Sequence, residues 1–219
     1  MTALVASPAG SCHSVGVTTA YEEMIHVPRV AVKFPLELPV PEGFVVDEPE
    51  TWPRVEGRLE FVGGRLYFMP PCADRQQETS NDVATALGLW RRAHPEFTVG
   101  GNAAGMVLGG ESRGADAAVW RRADLGPHRG KYQRVAPILA AEIQGEFEDE
   151  AELREKASWY FSHGVEVVWL LFPNETRMIV LTPRGEERLG IDDRVPAHAS
   201  LPGLEPAVVD LFAQVVLRR

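Results

Sequence analysis

The sequence predicts an α/β domain in which a mixed β-sheet is flanked by helices and preceded by an extended N-terminal arm. Residues 135–172 have the pattern of a buried strand, an amphipathic helix and a second buried strand, which is typical of a βαβ-type unit. The segment LEFVGGRLYFM alternates apolar and polar residues on both sides of a Gly-Gly pair, as a β-hairpin does. A length of 219 residues with 45% hydrophobic content suits one such domain with an additional arm.

Residues 1–45 carry little periodic signal and are rich in Val, Pro and small residues. The stretch PLELPVPEGF is typical of an extended connector. We therefore predict an extended arm over residues 1–45, in part disordered or packed late on the domain. The domain itself is predicted over residues 46–219.

The first elements of the domain are a hairpin and a helix. The hairpin turns at Gly63-Gly64, a pair that suits a tight primed turn. Residues 74–93 form the predicted helix, with Asp74 as its N-cap. Its buried stripe has helical spacing and consists of Val83, Ala86, Leu87 and Trp90.

Strands dominate the rest of the chain, apart from one polar loop and two helices. The predicted strands are 97–99, 105–108, 114–120, 138–144, the apolar stretch that ends at 172, and 178–181. The polar loop is 122–134, and the last helix carries Val208, Leu211, Phe212 and Val215 at helical spacing.

Two acids lie in strands where charge is costly. Period-2 alternation places Glu142 and Gln144 on the same face as apolar Ile138 and Ala140. Asp116 likewise stands in the small-residue strand GADAAVW. An ionised carboxylate is rarely buried without a partner, a hydrogen-bond network or a metal. Asp116 and Glu142 on neighbouring strands therefore predict a shared divalent-metal site, to which the main-chain carbonyl of Ile143 adds a ligand.

A lysine on the following helix points toward the same place. At 100° per residue, Lys156 falls inside the arc spanned by Trp159, Tyr160, Leu153 and Ala157. Lys156 then offsets charge on a phosphoryl oxygen or orients a water, and Gln144 positions the attacking water. The alternative is a structural ion pair with a lysine that snorkels to the rim.

The order of these segments resembles the Uma-type restriction endonuclease family, a branch of the PD-(D/E)xK nuclease superfamily. The resemblance runs from about Trp52 to Phe212 and is carried by LEFVGGRLYFMPP, GADAAVW, ILAAEIQ, LREKASWYFSHGVEVVWLLFP and LPGLEPAVVDLF. It implies a restriction-endonuclease-like fold and Mg²⁺-dependent hydrolysis of phosphodiester bonds, usually in DNA, with Mn²⁺ as a substitute. Asp116, Glu142 and Lys156 match the family's acid, core-strand Glu and helix Lys. Gln144 stands where the superfamily motif has its lysine.

Two further acids are accessory candidates. Glu60 occupies the hairpin acid typical of the family, although an isolated strand acid is more often solvated. Glu78 on the first helix would support the site from a second layer, although a surface position is the simpler interpretation. The acidic run from Glu146 to Glu152 either recruits a second metal or, more simply, marks a solvated helix start.

Charge and cysteine content define the expected partners. A net charge of −9 disfavours general nucleic-acid binding, so positive charge must be local, at Arg91-Arg92, Arg121-Arg122 or the stretch RGKYQR. Two cysteines without a zinc or disulfide pattern, and no long apolar run, predict a cytoplasmic protein away from membranes. The expected partner is DNA, with RNA as an open alternative, and a homodimer would suit two-strand cleavage. A second hypothesis is a non-catalytic binding or assembly module with the same fold.

Overall fold

The structure is a computed structural model that describes residues 34–127 and 132–218. Residues 1–33 of the predicted arm lie outside the described residues. In the rest of the predicted arm, strand β1 (Leu36–Leu38) pairs with the second strand of the hairpin. The division at residues 45 and 46 stays a prediction.

One mixed sheet of nine strands forms the centre of the described residues. After β1 come β2 (Leu59–Val62), β3 (Arg65–Phe68), β4 (Phe97–Leu108), β5 (Glu111–Arg121), β6 (Leu139–Ile143), β7 (Val167–Phe172), β8 (Arg177–Thr182) and β9 (Gly185–Leu189). Their spatial order is β1-β3-β2-β5-β6-β7-β8-β9, with β4 paired to β5. The pair β6–β7 is parallel, and the other pairs are antiparallel.

Helices cover both faces of this sheet. They are α1 (Asp74–Ala93), α2 (Glu150–Ser162), α3 (Val208–Leu211) and α4 (Ala213–Leu217), with 3₁₀ turns at Pro49–Thr51 and Arg122–Asp124. On one face α1, α3 and α4 pack against Val119, Leu139 and Trp169. On the other face α2 packs against Ala118, Ala140 and Leu170. In the described part of the chain no helix is long and apolar enough to cross a bilayer.

The α/β class, the hairpin and the β6-α2-β7 unit agree with the sequence prediction. Gly63 and Gly64 both have positive φ, as a primed hairpin turn requires. Helix α2 begins with a capping box between Asp149 and Glu152, and Gly164 follows it with a φ of 91°.

Strand β4 differs from its prediction. The sequence predicts two short strands, 97–99 and 105–108, separated by Gly and Asn. The structure has one strand that pairs with β5 on both sides of a register shift between Gly101 and Ala104. Long-range pairing with β5 therefore overrides the local strand-breaking signal, and the one extra residue is absorbed as a bulge.

The start of α1 and the continuity of the last helix also differ from prediction. The N-cap of α1 is Ala73, and Asp74 is the first helical residue, where its carboxylate accepts from the N–H of Arg75. The predicted last helix is two helices, because Phe212 leaves the helical conformation at φ −126° and ψ 19°. Its side chain is fully buried, so packing sets the conformation there.

Candidate active site

Asp116 and Glu142 face each other across β5 and β6. The antiparallel register pairs Ala117 with Ala141 and Ala118 with Ala140, so its next step places Asp116 opposite Glu142. Alternation along each strand directs both carboxylates to the α2 face. Their exposed fractions are only 6% and 3%. The predicted convergence of the two acids is therefore present.

Asp116 is held by the main chain of β6. Its Oδ2 accepts a 2.8 Å hydrogen bond from the N–H of Ile143. Burial, reinforced by the neighbouring Glu142 carboxylate, raises the pKa of Asp116 to about 7, against the opposing effects of the Ile143 N–H and Lys156. The ionised form of Asp116 is thus disfavoured beside Glu142, even with Lys156 nearby.

Glu142 receives a hydrogen bond on each of its oxygens. The hydroxyl of Tyr160 donates to Oε1 at 2.6 Å, and the ammonium of Lys156 donates to Oε2 at 3.1 Å. Both donors lie on α2, four residues apart and therefore on one face of the helix. Burial and the adjacent Glu142 raise the pKa of Tyr160 well above its usual range, so its hydroxyl is neutral.

Lys156 is a cation in this site. Burial alone would lower its pKa, but Glu142 and Glu148 outweigh that effect and raise it above the usual range. Nζ lies 2.7 Å from Oε1 of Glu148. A permanently charged ammonium cannot accept a proton at neutral pH, so Lys156 can supply charge and hydrogen bonds but cannot act as a general base.

Glu60 extends the cluster toward the hairpin. The side chain is buried, its Oε1 accepts from the N–H of Gly114 at 3.1 Å, and Nε of Arg58 lies 3.6 Å away. Burial raises the pKa of Glu60, while Arg58 and Lys156 oppose the shift. The interpretation of Glu60 as a solvated strand acid is therefore wrong, and its accessory role stays a prediction.

The donor set fits a hard divalent cation. Asp116 and Glu142 offer carboxylate oxygens, and the carbonyl of Ile143 lies at the same strand end, where it accepts from the amide of Gln76 at 3.1 Å. No group of three or more His, Cys, Asp and Glu side chains among the described residues is placed to hold a metal ion. Mg²⁺ is commonly bound by one or two carboxylates, with waters and substrate phosphates completing its shell, and two acids with a carbonyl are compatible with that pattern.

The comparison with protein families decides the identity of the chain. A sequence model of the Uma2 family, described as "Putative restriction endonuclease", matches residues 46–211. The chain belongs to this family. The resemblance predicted from its segments is thereby confirmed.

A solved structure supports the same fold. The crystal structure of "a putative nuclease belonging to DUF820" from Anabaena variabilis ATCC 29413 is similar with a TM-score of 0.68 and 17% sequence identity. The match covers 78% of this chain and 99% of that chain. The restriction-endonuclease-like fold of this Uma2 family member is thus established. A separate comparison with curated proteins found no match to its sequence.

In this Uma2 family member, Gln144 and Glu78 make contacts other than with the Asp116 and Glu142 carboxylates. The amide of Gln144 donates to the main-chain oxygen of Glu148 at 2.8 Å, so it supports the turn before α2. Glu78 forms an ion pair with Arg218, which follows α4. The structure does not bring Glu78 into the cluster, because its position on α1 faces the C-terminal helices.

Several residues of the site were not predicted. The sequence pattern places Tyr160 in the core stripe, although a buried tyrosine hydroxyl needs a partner and its i+4 spacing from Lys156 is a usable signal. Glu148 was part of the acidic run, whose helix-start interpretation agrees with the Asp149 capping box. The positions of Arg58 and Gln76 depend on long-range pairing and packing, for which the local sequence has no signal.

Proposed function

We propose that this Uma2 family member is a divalent-metal-dependent endonuclease that hydrolyses phosphodiester bonds in DNA. The observation that carries the proposal is the pair of buried carboxylates, Asp116 and Glu142, on adjacent strands beside the partly buried cation Lys156. Family membership and the solved relative support the nuclease class. We further propose a cytoplasmic location, and a homodimer as the form that cleaves both strands.

The metal ligands are proposed to be Asp116, Glu142 and the carbonyl of Ile143, with Mg²⁺ as the ion and Mn²⁺ as a substitute. Such an ion, when bound, supplies positive charge for phosphoryl oxygens and lowers the pKa of a coordinated water. The protein positions the ligands through rigid elements. Strand pairing fixes the main chain of both acids, and the Ile143 N–H orients the Asp116 carboxylate.

Lys156 and Tyr160 both donate hydrogen bonds to Glu142 and so orient its carboxylate. Lys156 offsets negative charge that develops on the phosphoryl group, because it remains an ammonium at neutral pH. Tyr160 fixes one oxygen of Glu142 and leaves the other facing Lys156. Gln144 is proposed to assist indirectly, by shaping the turn that carries Glu148.

A binding or assembly module is the second candidate function. It is favoured by the hydrogen bonds from Tyr160 and Lys156, which already engage both oxygens of Glu142. The acidic net charge of −9 points the same way, since it weakens general attraction to phosphates.

Cleavage of supercoiled plasmid DNA separates the two candidates. The wild-type protein should nick DNA in Mg²⁺ or Mn²⁺ but not in excess EDTA, and Asp116→Asn should lower the rate at least about 100-fold. Asn can still accept from the Ile143 N–H, so the fold should survive. Glu155→Gln, an exposed acid next to Lys156, serves as the matched control and should leave the rate unchanged. Equal cleavage by Asp116→Asn would overturn the proposed site.

A further inference from the structure

Lys156 has two carboxylate partners, and the shorter contact is not with Glu142. Its Nζ lies 2.7 Å from Glu148 Oε1 and 3.1 Å from Glu142 Oε2. Glu142 lies on β6, whereas Glu148 belongs to the turn between β6 and α2. The ammonium is therefore held between a proposed metal ligand and an acid outside the proposed ligand set.

The position of Glu148 is fixed by contacts that do not involve Lys156. Its Oε2 accepts from the N–H of Gly145 at 2.9 Å, and its own N–H donates to the Gly145 carbonyl at 3.3 Å. The Gln144 amide holds its carbonyl oxygen. A Cβ on Gly145 would stand 3.0 Å from Oε2 of Glu148, so the turn and the carboxylate fit closely. The carboxylate is thus preorganised to receive a cation.

The second contact of Lys156 becomes important if Glu142 gives up the lysine in order to bind a divalent cation. A divalent cation held by Glu142 would compete with Lys156 for this carboxylate and would repel the ammonium. An ammonium whose side chain is only 20% exposed is destabilised when it loses its partner. Glu148 provides a second partner at hydrogen-bond distance, so Lys156 can stay charged and close to the site.

We propose that Glu148 is a positioning residue that retains Lys156 when Glu142 exchanges the lysine for a divalent cation. This inference rests on the proposed function, because it takes Glu142 to be a metal ligand. Without Glu148, the cation would have to displace a lysine that has no other partner, and metal binding would weaken.

A double-mutant cycle measured by calorimetric titration with Mn²⁺ tests the proposal. Glu148→Gln should lower the Mn²⁺ affinity at least about fivefold, whereas in a Lys156→Met background the same change should alter it less than about twofold. Glu146→Gln removes an equal charge from the same turn at an exposed position, so it controls for general electrostatics. Its effect should stay within about twofold.

The outcomes separate the possible failures. An equal loss of affinity in both backgrounds would mean that Glu148 acts only as a negative charge, and would overturn this inference alone. A wild-type protein that binds no Mn²⁺ would overturn both the proposed metal site and this inference. Glu148→Asp gives a test that does not depend on the folding of Lys156→Met. The shorter side chain keeps the charge but draws the carboxylate back from Nζ of Lys156, which Glu148 meets at 2.7 Å. The variant should lower the Mn²⁺ affinity, and an unchanged affinity would contradict the proposal.

Discussion

The Asp116 carboxylate accepts a 2.8 Å hydrogen bond from the main-chain N–H of Ile143. This contact lies just beyond Ala117 and Ala141, the last paired residues at this end of β5 and β6. This contact brings Asp116 beside Glu142 in a buried position. Ionisation of Asp116 beside Glu142 is unfavourable in this buried position, so the free energy of unfolding should depend on pH.

Stability should fall as pH rises through the titration of Asp116. The pKa of Asp116 is about 7 in the folded protein and 3.8 for the ordinary group. The folded state therefore binds more protons than the unfolded state between these values, and the free energy of unfolding decreases with pH in that window. The decrease is at most about 4 kcal/mol.

Asp116→Asn should remove most of this dependence. In metal-free buffer, urea denaturation should show the two proteins nearly equal near pH 4 and the variant more stable near pH 8, because its neutral amide keeps the Ile143 hydrogen bond. Asp124→Asn, at an exposed position, is the control and should follow the wild type. Parallel stability curves for wild type and Asp116→Asn would show that Asp116 does not titrate in this range.

Removal of the Tyr160 hydroxyl should destabilise the protein through Glu142. Tyr160→Phe leaves Oε1 of a buried carboxylate without its 2.6 Å donor, at an expected cost of about 1.5–3 kcal/mol. In a Glu142→Ala background the same change should cost less than about 1 kcal/mol, because the acceptor is already absent. Chemical denaturation of the four proteins measures the coupling, and additive costs would contradict it.

Local sequence patterns predict the features that depend on strand and helix periodicity. Strand alternation and helix periodicity predict that Glu142 and Lys156 lie close together, as the structure shows. The order of the segments indicates the family. The neighbouring position of Asp116 followed from that order, and it is realised through the β5–β6 register.

The remaining differences have tertiary causes. The long strand β4 exists because β5 pairs with it on both sides of the bulge, and no local sequence pattern records that pairing. Glu60 is buried because the hairpin packs beside β5, where Gly114 donates to it. Glu148 resembles any acid at a helix start, and only the path of the turn brings it to Lys156.

The β4–β5 turn provides a test of the fold that is independent of the chemistry. Gly109 and Gly110 both have positive φ, but only a Cβ on Gly109 would overlap the His163 ring at the end of α2. Gly110→Ala should cost about 1 kcal/mol for its backbone conformation, and Gly109→Ala about 1–3 kcal/mol more for the overlap. Thermal or urea unfolding of both variants measures the difference. Equal costs would show that the turn does not pack against His163.

Calorimetric titration with Mg²⁺ and Mn²⁺ asks whether Asp116 and Glu142 share one divalent cation, as we propose. We expect one binding event per chain in the wild-type protein, and its loss in both Asp116→Asn and Glu142→Ala while Glu155→Gln binds normally. Undiminished binding by a folded Asp116→Asn or Glu142→Ala protein would contradict the claim that the metal lies between these two carboxylates.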